Sequence, residues 1–195
     1  MPRTLTEQDK QKQRRRLLDR GGAIVLARGV KKVSVAEIAQ AAGMAKGAFY
    51  LHFESKELYL VELVWALHQR LLSQAQQLIL EMTDFDAGVR ILLDRLFASP
   101  EATFFMRNAE DIDEIITVMH NHESELFLCM EVAEYAKLLV LAGLDTSRVR
   151  PGVVHNWVHA IFLMKTSTLM VPGDVAETYQ QMVASLVEYL RGGLT

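Results

Sequence analysis

Apolar residues fall three and four positions apart over most of the chain, the period of a helix that buries one face. From Ser55 onward Leu58, Val61, Val64, Leu71, Leu72, Ala75, Leu78, Ile79 and Met82 describe one long amphipathic helix. Ala87–Ala98 repeats the pattern through Val89, Leu92, Leu93, Leu96 and Phe97, and Pro100 follows it. Glu123–Leu141 is a third stretch, with Leu126, Phe127, Met130, Ala133, the stem of Lys137 and Val140 as its apolar face and Gly143 as its stop. Val149–Val171 is a fourth, closed by Pro172-Gly173; Asp174 caps a last helix to about Leu190, and Gly192-Gly193 ends it. Phe104–Asn121 reads as a short helix with an irregular connection. No alternating strand pattern of useful length, internal repeat or low-complexity tract interrupts this order, so the expected fold class is all-α.

The N-terminal third has a finer grain. Leu17–Ala27 is helical by pattern, although Gly21-Gly22 should each cost about 1 kcal/mol relative to Ala, and Gly29 breaks it. Ser34-Val35-Ala36-Glu37 is a capping box flanked by Val33 and Ile38, placed as a hydrophobic staple. A second helix therefore starts at Val35 and ends at Gly43, and a third, about Ala45 to Leu51, follows directly. Two short helices about a glycine-bearing turn make a helix-turn-helix, with Ala39 small enough for close packing. The expected division is a helix-turn-helix domain over residues 1–54 and a larger helical domain over residues 55–195.

Charge sharpens that division. The chain carries −3 overall, but residues 1–56 carry +7 and the remainder −10. A basic head on an acidic body suits a polyanion-binding end and a body with another task. Half the residues are hydrophobic and 23% are charged, enough to build a packed core and to exclude disorder. The longest apolar stretch, Leu138–Leu144, falls far short of the roughly 20 residues a membrane span needs. No apolar segment follows the basic N-terminus, so no leader is expected and the location is read as cytoplasmic. The lone Cys129 excludes an intramolecular disulfide.

In a helix-turn-helix the second helix enters the major groove, so its outer face must be small or polar and its hidden face apolar. Phe49 and Phe53 are the expected inward anchors. Lys46, Gly47, Ala48, Tyr50, Leu51 and His52 fall around the remaining surface, with Lys56 near the start of the next helix. Lys46 offers charge to a phosphate or a guanine edge, and Gly47 and Ala48 permit close approach. The Tyr50 hydroxyl can reach a phosphate.

The run AQAAGMAKGAFYLHFESKEL carries almost all of the pattern A-x-x-A-G-x-x-K-G-x-x-Y-x-H-F-x-x-K-E-x-L, and Gly29–Leu60 around it resembles the DNA-binding region of the tetracycline-repressor (TetR) family of bacterial regulators. The resemblance is strong over the first third; beyond it only length and helical layout agree. It implies DNA contacts from Ser34, Lys46, Tyr50, His52 and Lys56, with Ala45, Gly47, Ala48 and Leu51 on the same reading helix. Ala45 stands where the family usually has Ser or Thr, which removes one phosphate hydrogen bond, and Gly21-Gly22 replaces better helix formers. The implied protein is a ligand-responsive regulator, a repressor by expectation, that binds a palindromic operator in double-stranded DNA as a homodimer. The last two helices supply the dimer contact, with Val175, Tyr179, Met182, Val183, Leu186 and Leu190 as its seam.

Relatives use the acidic body as a small-molecule sensor. Its methionines and aromatics can line an adaptable apolar pocket, although such side chains at helical spacing are more often ordinary core. Phe105, Met119, Phe127, Met130, Trp157 and Phe162 are the expected effector-binding residues, and the effector should be largely apolar. His155 and His159 lie one turn apart and His120 and His122 are close in sequence, but no motif fixes a full ligand set, so no metal and no cofactor is expected. An enzyme would need a nucleophile with its base or a phosphate loop, and no such pattern is present. The rival reading is a helical small-molecule-binding or metal-sensing protein with weak or no operator binding.

Overall fold

The protein is described as a computed structural model over residues 6–107, 130–167 and 170–194, with residues 105–107 described for their backbone only. The elements among the described residues are all helices, in the all-α class expected, with an isolated antiparallel bridge between Leu144 and Leu194. None of these helices is long and apolar enough to cross a membrane. The chain forms two compact units that divide inside one long helix, between Gln69 and Arg70.

The first unit opens with α1 (Glu7–Arg16), which carries the basic run Lys10–Arg16. Its start is chemical: Thr6 accepts from the Asp9 amide and Asp9 returns the bond to the Thr6 amide, a capping box. A π-helical turn at Leu17–Gly21 leads into α2 (Gly22–Arg28). Then come α3 (Val35–Ala41), α4 (Lys46–Phe49) and the first part of α5 (Lys56–Leu80). Gly21 and Gly22 are buried. A Cβ on Gly21 would lie 2.7 Å from Ile38 Cγ2 and 3.2 Å from the Ile38 carbonyl; one on Gly22 would lie 2.6 Å from Leu63 Cδ1. The glycine pair, expected only to weaken the helix, is what lets α3 and α5 close on the π turn.

The second unit contains the rest of α5, α6 (Phe85–Phe97), α7 (Pro100–Arg107), α8 (residues 130–141), α9 (Pro151–Thr166) and α10 (Val175–Arg191). Asp84 starts α6 by accepting from the Ala87 amide at 2.8 Å. Pro151 starts α9 at the position where a missing N–H costs nothing. Asp174 stands at the N-cap of α10 as expected, but its carboxylate makes no capping bond.

Two assignments of helix faces change. The face read as inward on α8 is outward: Met130 and Val140 are 45% and 64% exposed, while Glu131 and Leu139 are buried. The seam expected to join two copies belongs to the chain's own core. Tyr179, Val183, Leu186 and Leu190 are buried among Val89, Leu93, Phe97, Leu144 and Ile161, with Val175 and Met182 packed on that cluster. The physical reason is supply: α10 has one strong apolar stripe, and the neighbouring α6 and α9 need it to complete their own burial.

Candidate nucleic-acid interface

The candidate surface is built outward from α3. The Ser34 hydroxyl accepts from the Glu37 amide at 3.3 Å, and the Glu37 carboxylate accepts from the Ser34 amide and hydroxyl, each at 2.8 Å. Arg28 adds a 2.7 Å ion pair to Glu37. These bonds, led by the Ser34 amide, hold the Glu37 carboxyl down at about 2. Ser34 and Glu37 therefore set the start and entry angle of α3, with Val33 and Ile38 buried beside them.

The turn out of α3 is equally determined. Gly43 adopts φ +71°. Its amide bonds the Gln40 carbonyl at 2.9 Å, and the Met44 amide bonds the Ala39 carbonyl at 2.8 Å. This pair of bonds with a left-handed residue is a Schellman stop, which aims the chain directly into α4. The reading helix is a single turn, Lys46–Phe49, shorter than the expected Ala45–Leu51, and continues as a bonded turn to Phe53.

So short a helix holds its position through its aromatic side. Phe49 and Phe53 are buried, as expected, and pack on Tyr59 of α5 with ring centroids 5.4 and 5.1 Å away. Burial pushes the Tyr59 hydroxyl well above its ordinary range, and it donates to the Leu17 carbonyl at 3.0 Å. Arg14 of α1 lies over the Phe53 ring, 4.3 Å from its centroid, and donates to Glu62 and to the His52 carbonyl. Arg14 was not among the sequence candidates. Its only sequence signal is its place at the end of the Thr6-capped helix, because the pairing with Glu62 spans 48 residues.

With its aromatic side buried, α4 turns a compact face outward. Ala45, Lys46 and Gly47 are exposed, Tyr50 and Leu51 are 50% and 69% exposed, and Ala48 is half-buried. A Cβ on Gly47 would meet nothing within 4 Å, so the helix has open space on that side. A lysine, a phenol and small residues together can meet a phosphate backbone and approach base edges.

Two expected contacts are engaged within the unit. The His52 ring donates from Nε2 to Gln13 at 2.9 Å, and its pKa is lowered by burial and by the Arg14 and Lys10 charges. Lys56 donates to the Val30 carbonyl at 2.7 Å. Both side chains hold the loops around α4 in place.

Of the expected effector residues, Met119 and Phe127 lie outside the described residues, as does the Phe105 side chain; His120 and His122 are outside them too. Trp157 and Phe162 are half-buried on α9 against the core of the second unit, and Met130 is on the exposed face of α8.

Residues 17–62 match the family "Bacterial regulatory proteins, tetR family". The uncharacterised HTH-type transcriptional regulator YdgC of Bacillus subtilis (strain 168) is 35% identical over 82 residues, which is 41% of this chain and 42% of that protein. The match thus spans less than half the length of that relative. A solved structure from Mesorhizobium loti MAFF303099, assigned to TetR-family transcriptional regulators, has a TM-score of 0.56 at 20% identity over 93% of this chain and 96% of its own. RolR, solved with the ligand resorcinol, has a TM-score of 0.57 at 16% identity over 97% and 98%. At such identities the two structures speak for the fold alone. YdgC and the Mesorhizobium loti protein are transcriptional regulators by name. The capped α3, its Schellman stop and the lysine-bearing α4 all lie within residues 17–62, the segment that is similar to the bacterial tetR family of regulatory proteins.

Proposed function

We propose that the protein is a ligand-responsive transcriptional repressor that binds a palindromic DNA operator as a homodimer and is released by a largely apolar effector. One observation carries the DNA half: the exposed face of α4, with Lys46, Gly47, Tyr50 and Leu51 outward, on a helix held by the buried Phe49–Phe53–Tyr59 cluster. Lys46 supplies charge to a phosphate or guanine edge, the Tyr50 hydroxyl bonds a phosphate, and Gly47 and Ala48 let the backbone come close. Ala45 adds no hydroxyl to that set. Ser34, His52 and Lys56 act mainly by positioning, since each already has a partner within the unit.

One reading turn contacts few base pairs, so two copies on two half-sites are needed for useful discrimination. The α10 stripe is spent inside the chain's own core, so the second copy docks on outward positions of the last two helices, such as Leu163 of α9, which is 63% exposed. The effector half rests on the regulator family and on the likeness to RolR, whose structure holds an aromatic ligand. By linkage, an effector releases DNA only if it prefers the unbound state of the regulator.

The test is a DNA titration of the full chain at moderate salt, with duplexes enriched by the protein from a random pool. The enriched duplex should bind at least tenfold tighter than random duplex. Lys46→Ala should weaken both and lower the slope of log affinity against log salt by about one. Tyr50→Phe should weaken binding less. Equal binding of enriched and random duplexes would overturn the proposal.

A further inference from the structure

The second unit brings together three side chains that the DNA-binding reading does not use. Glu131 of α8 is 5% exposed and His155 of α9 is 6% exposed, and their Oε2 and Nε2 atoms are 2.8 Å apart. His159, one turn further along α9, stacks on His155 with ring centroids 4.1 Å apart. One ligand atom from each of the three lies within 4.8 Å of the other two. Spacing alone suggested the histidine pair; the third member is the acidic residue that the outward turn of α8's apolar face carries inside.

We propose that Glu131, His155 and His159 form a binding site for a divalent transition-metal ion of the zinc class. The donor set is two imidazoles and one carboxylate, which suits zinc rather than magnesium or calcium, whose sites are built from oxygens. The rings are already oriented for it. His159 Nδ1 lies 3.1 Å from the His155 carbonyl, and His155 Nδ1 lies 3.3 Å from Asn156 Oδ1. Those oxygens only accept, so each Nδ1 is held as a donor and Nε2 is left to coordinate; His155 Nε2 donates to Glu131 without an ion, and an ion entering there displaces that proton. Tyr135 packs edge-on against His155 at 5.3 Å and fixes the ring.

Tetrahedral zinc with bonds near 2.0–2.1 Å spaces its ligand atoms about 3.3 Å apart. The His155–Glu131 pair opens from 2.8 Å to meet that, and His159 closes inward. His159 is the solvent-facing member, so it gives the ion its entry path, and water completes the fourth position.

The test uses the full chain stripped with a chelator and titrated with Zn²⁺ against a chromophoric competitor. One ion per chain should bind. Glu131→Gln and His159→Gln should each weaken binding at least tenfold, the size of effect that loss of even a supporting partner brings. Circular dichroism checks each variant's fold; His159 is at the surface, so His159→Gln keeps the test available if Glu131→Gln disturbs packing. X-ray absorption of the loaded protein should show imidazole scattering. No stoichiometric binding, or binding undiminished in His159→Gln, overturns the site. Either result leaves the DNA-binding proposal standing, because no residue is shared.

Discussion

The two units of this chain are both helical, yet their geometry is set at different ranges. In the first, each turn of direction has a local chemical cause. Thr6 with Asp9 starts α1, Ser34 with Glu37 starts α3, and the Gly43 stop launches α4. In the second, long amphipathic helices leave their rotation to be settled by neighbours. Helix α8 illustrates this: Met130 and Val140 face out, while Glu131 goes in to meet His155. A helix with apolar residues on more than one side is certain as a helix and open in its azimuth, and packing chooses.

The comparison breaks most sharply at the aromatic anchor. Phe49→Ala removes a fully buried ring and should cost the first unit about 3–5 kcal/mol. Each unit holds one tryptophan, Trp65 in the first and Trp157 in the second. Urea unfolding followed by Trp65 in a Trp157→Phe background therefore reads the first unit. A loss below 1 kcal/mol would mean that α4 does not depend on the cluster.

The glycine pair tests whether the first unit is purely local. Gly21→Val forces a side chain against Ile38 and its carbonyl and should destabilise by about 1–3 kcal/mol. Gly22→Ala should cost less, because it meets only the flexible end of Leu63. If both variants stabilised the protein, as helix propensity alone would have it, the close approach of α3 and α5 would not matter.

The smallest effect belongs to the cap. Ser34→Ala should cost about 1 kcal/mol. Its partner supplies a pH signature. Glu37 has a folded pKa of about 2 against an ordinary 4.5. Its stabilising contribution is thus complete above about pH 4.5 and is lost as pH falls toward 2. In Glu37→Gln that acid-side loss should flatten, which thermal melts between pH 5 and 2.5 can check. An unchanged slope would remove Glu37 from the balance.

Much of the candidate DNA surface could be read from residues in order. The capping box, the turn glycine and the inward Phe49 and Phe53 all lie within 20 residues, and each acts on its immediate neighbours. The role of Arg14 is not legible in the same way, because Glu62 lies 48 residues away. His52 and Lys56 were legible as polar residues near the surface, but not as residues already bonded to Gln13 and Val30. Gly21 and Gly22 read in the sequence as a local cost, which hid their use, since the atoms they admit come from α3 and α5.

By itself, then, the amino-acid order determined the helical class, the start and stop of α3, the start of α4, and the side of α4 that faces outward. Caps, stops and short-range periodicity act over one or two turns, within reach of a single segment. Only tertiary structure decided which faces α8 and α10 present, where the α10 stripe is buried, and that Glu131 joins His155 and His159. Those outcomes depend on side chains far apart in sequence competing to cover the same apolar surface, and that competition is resolved only when the helices meet.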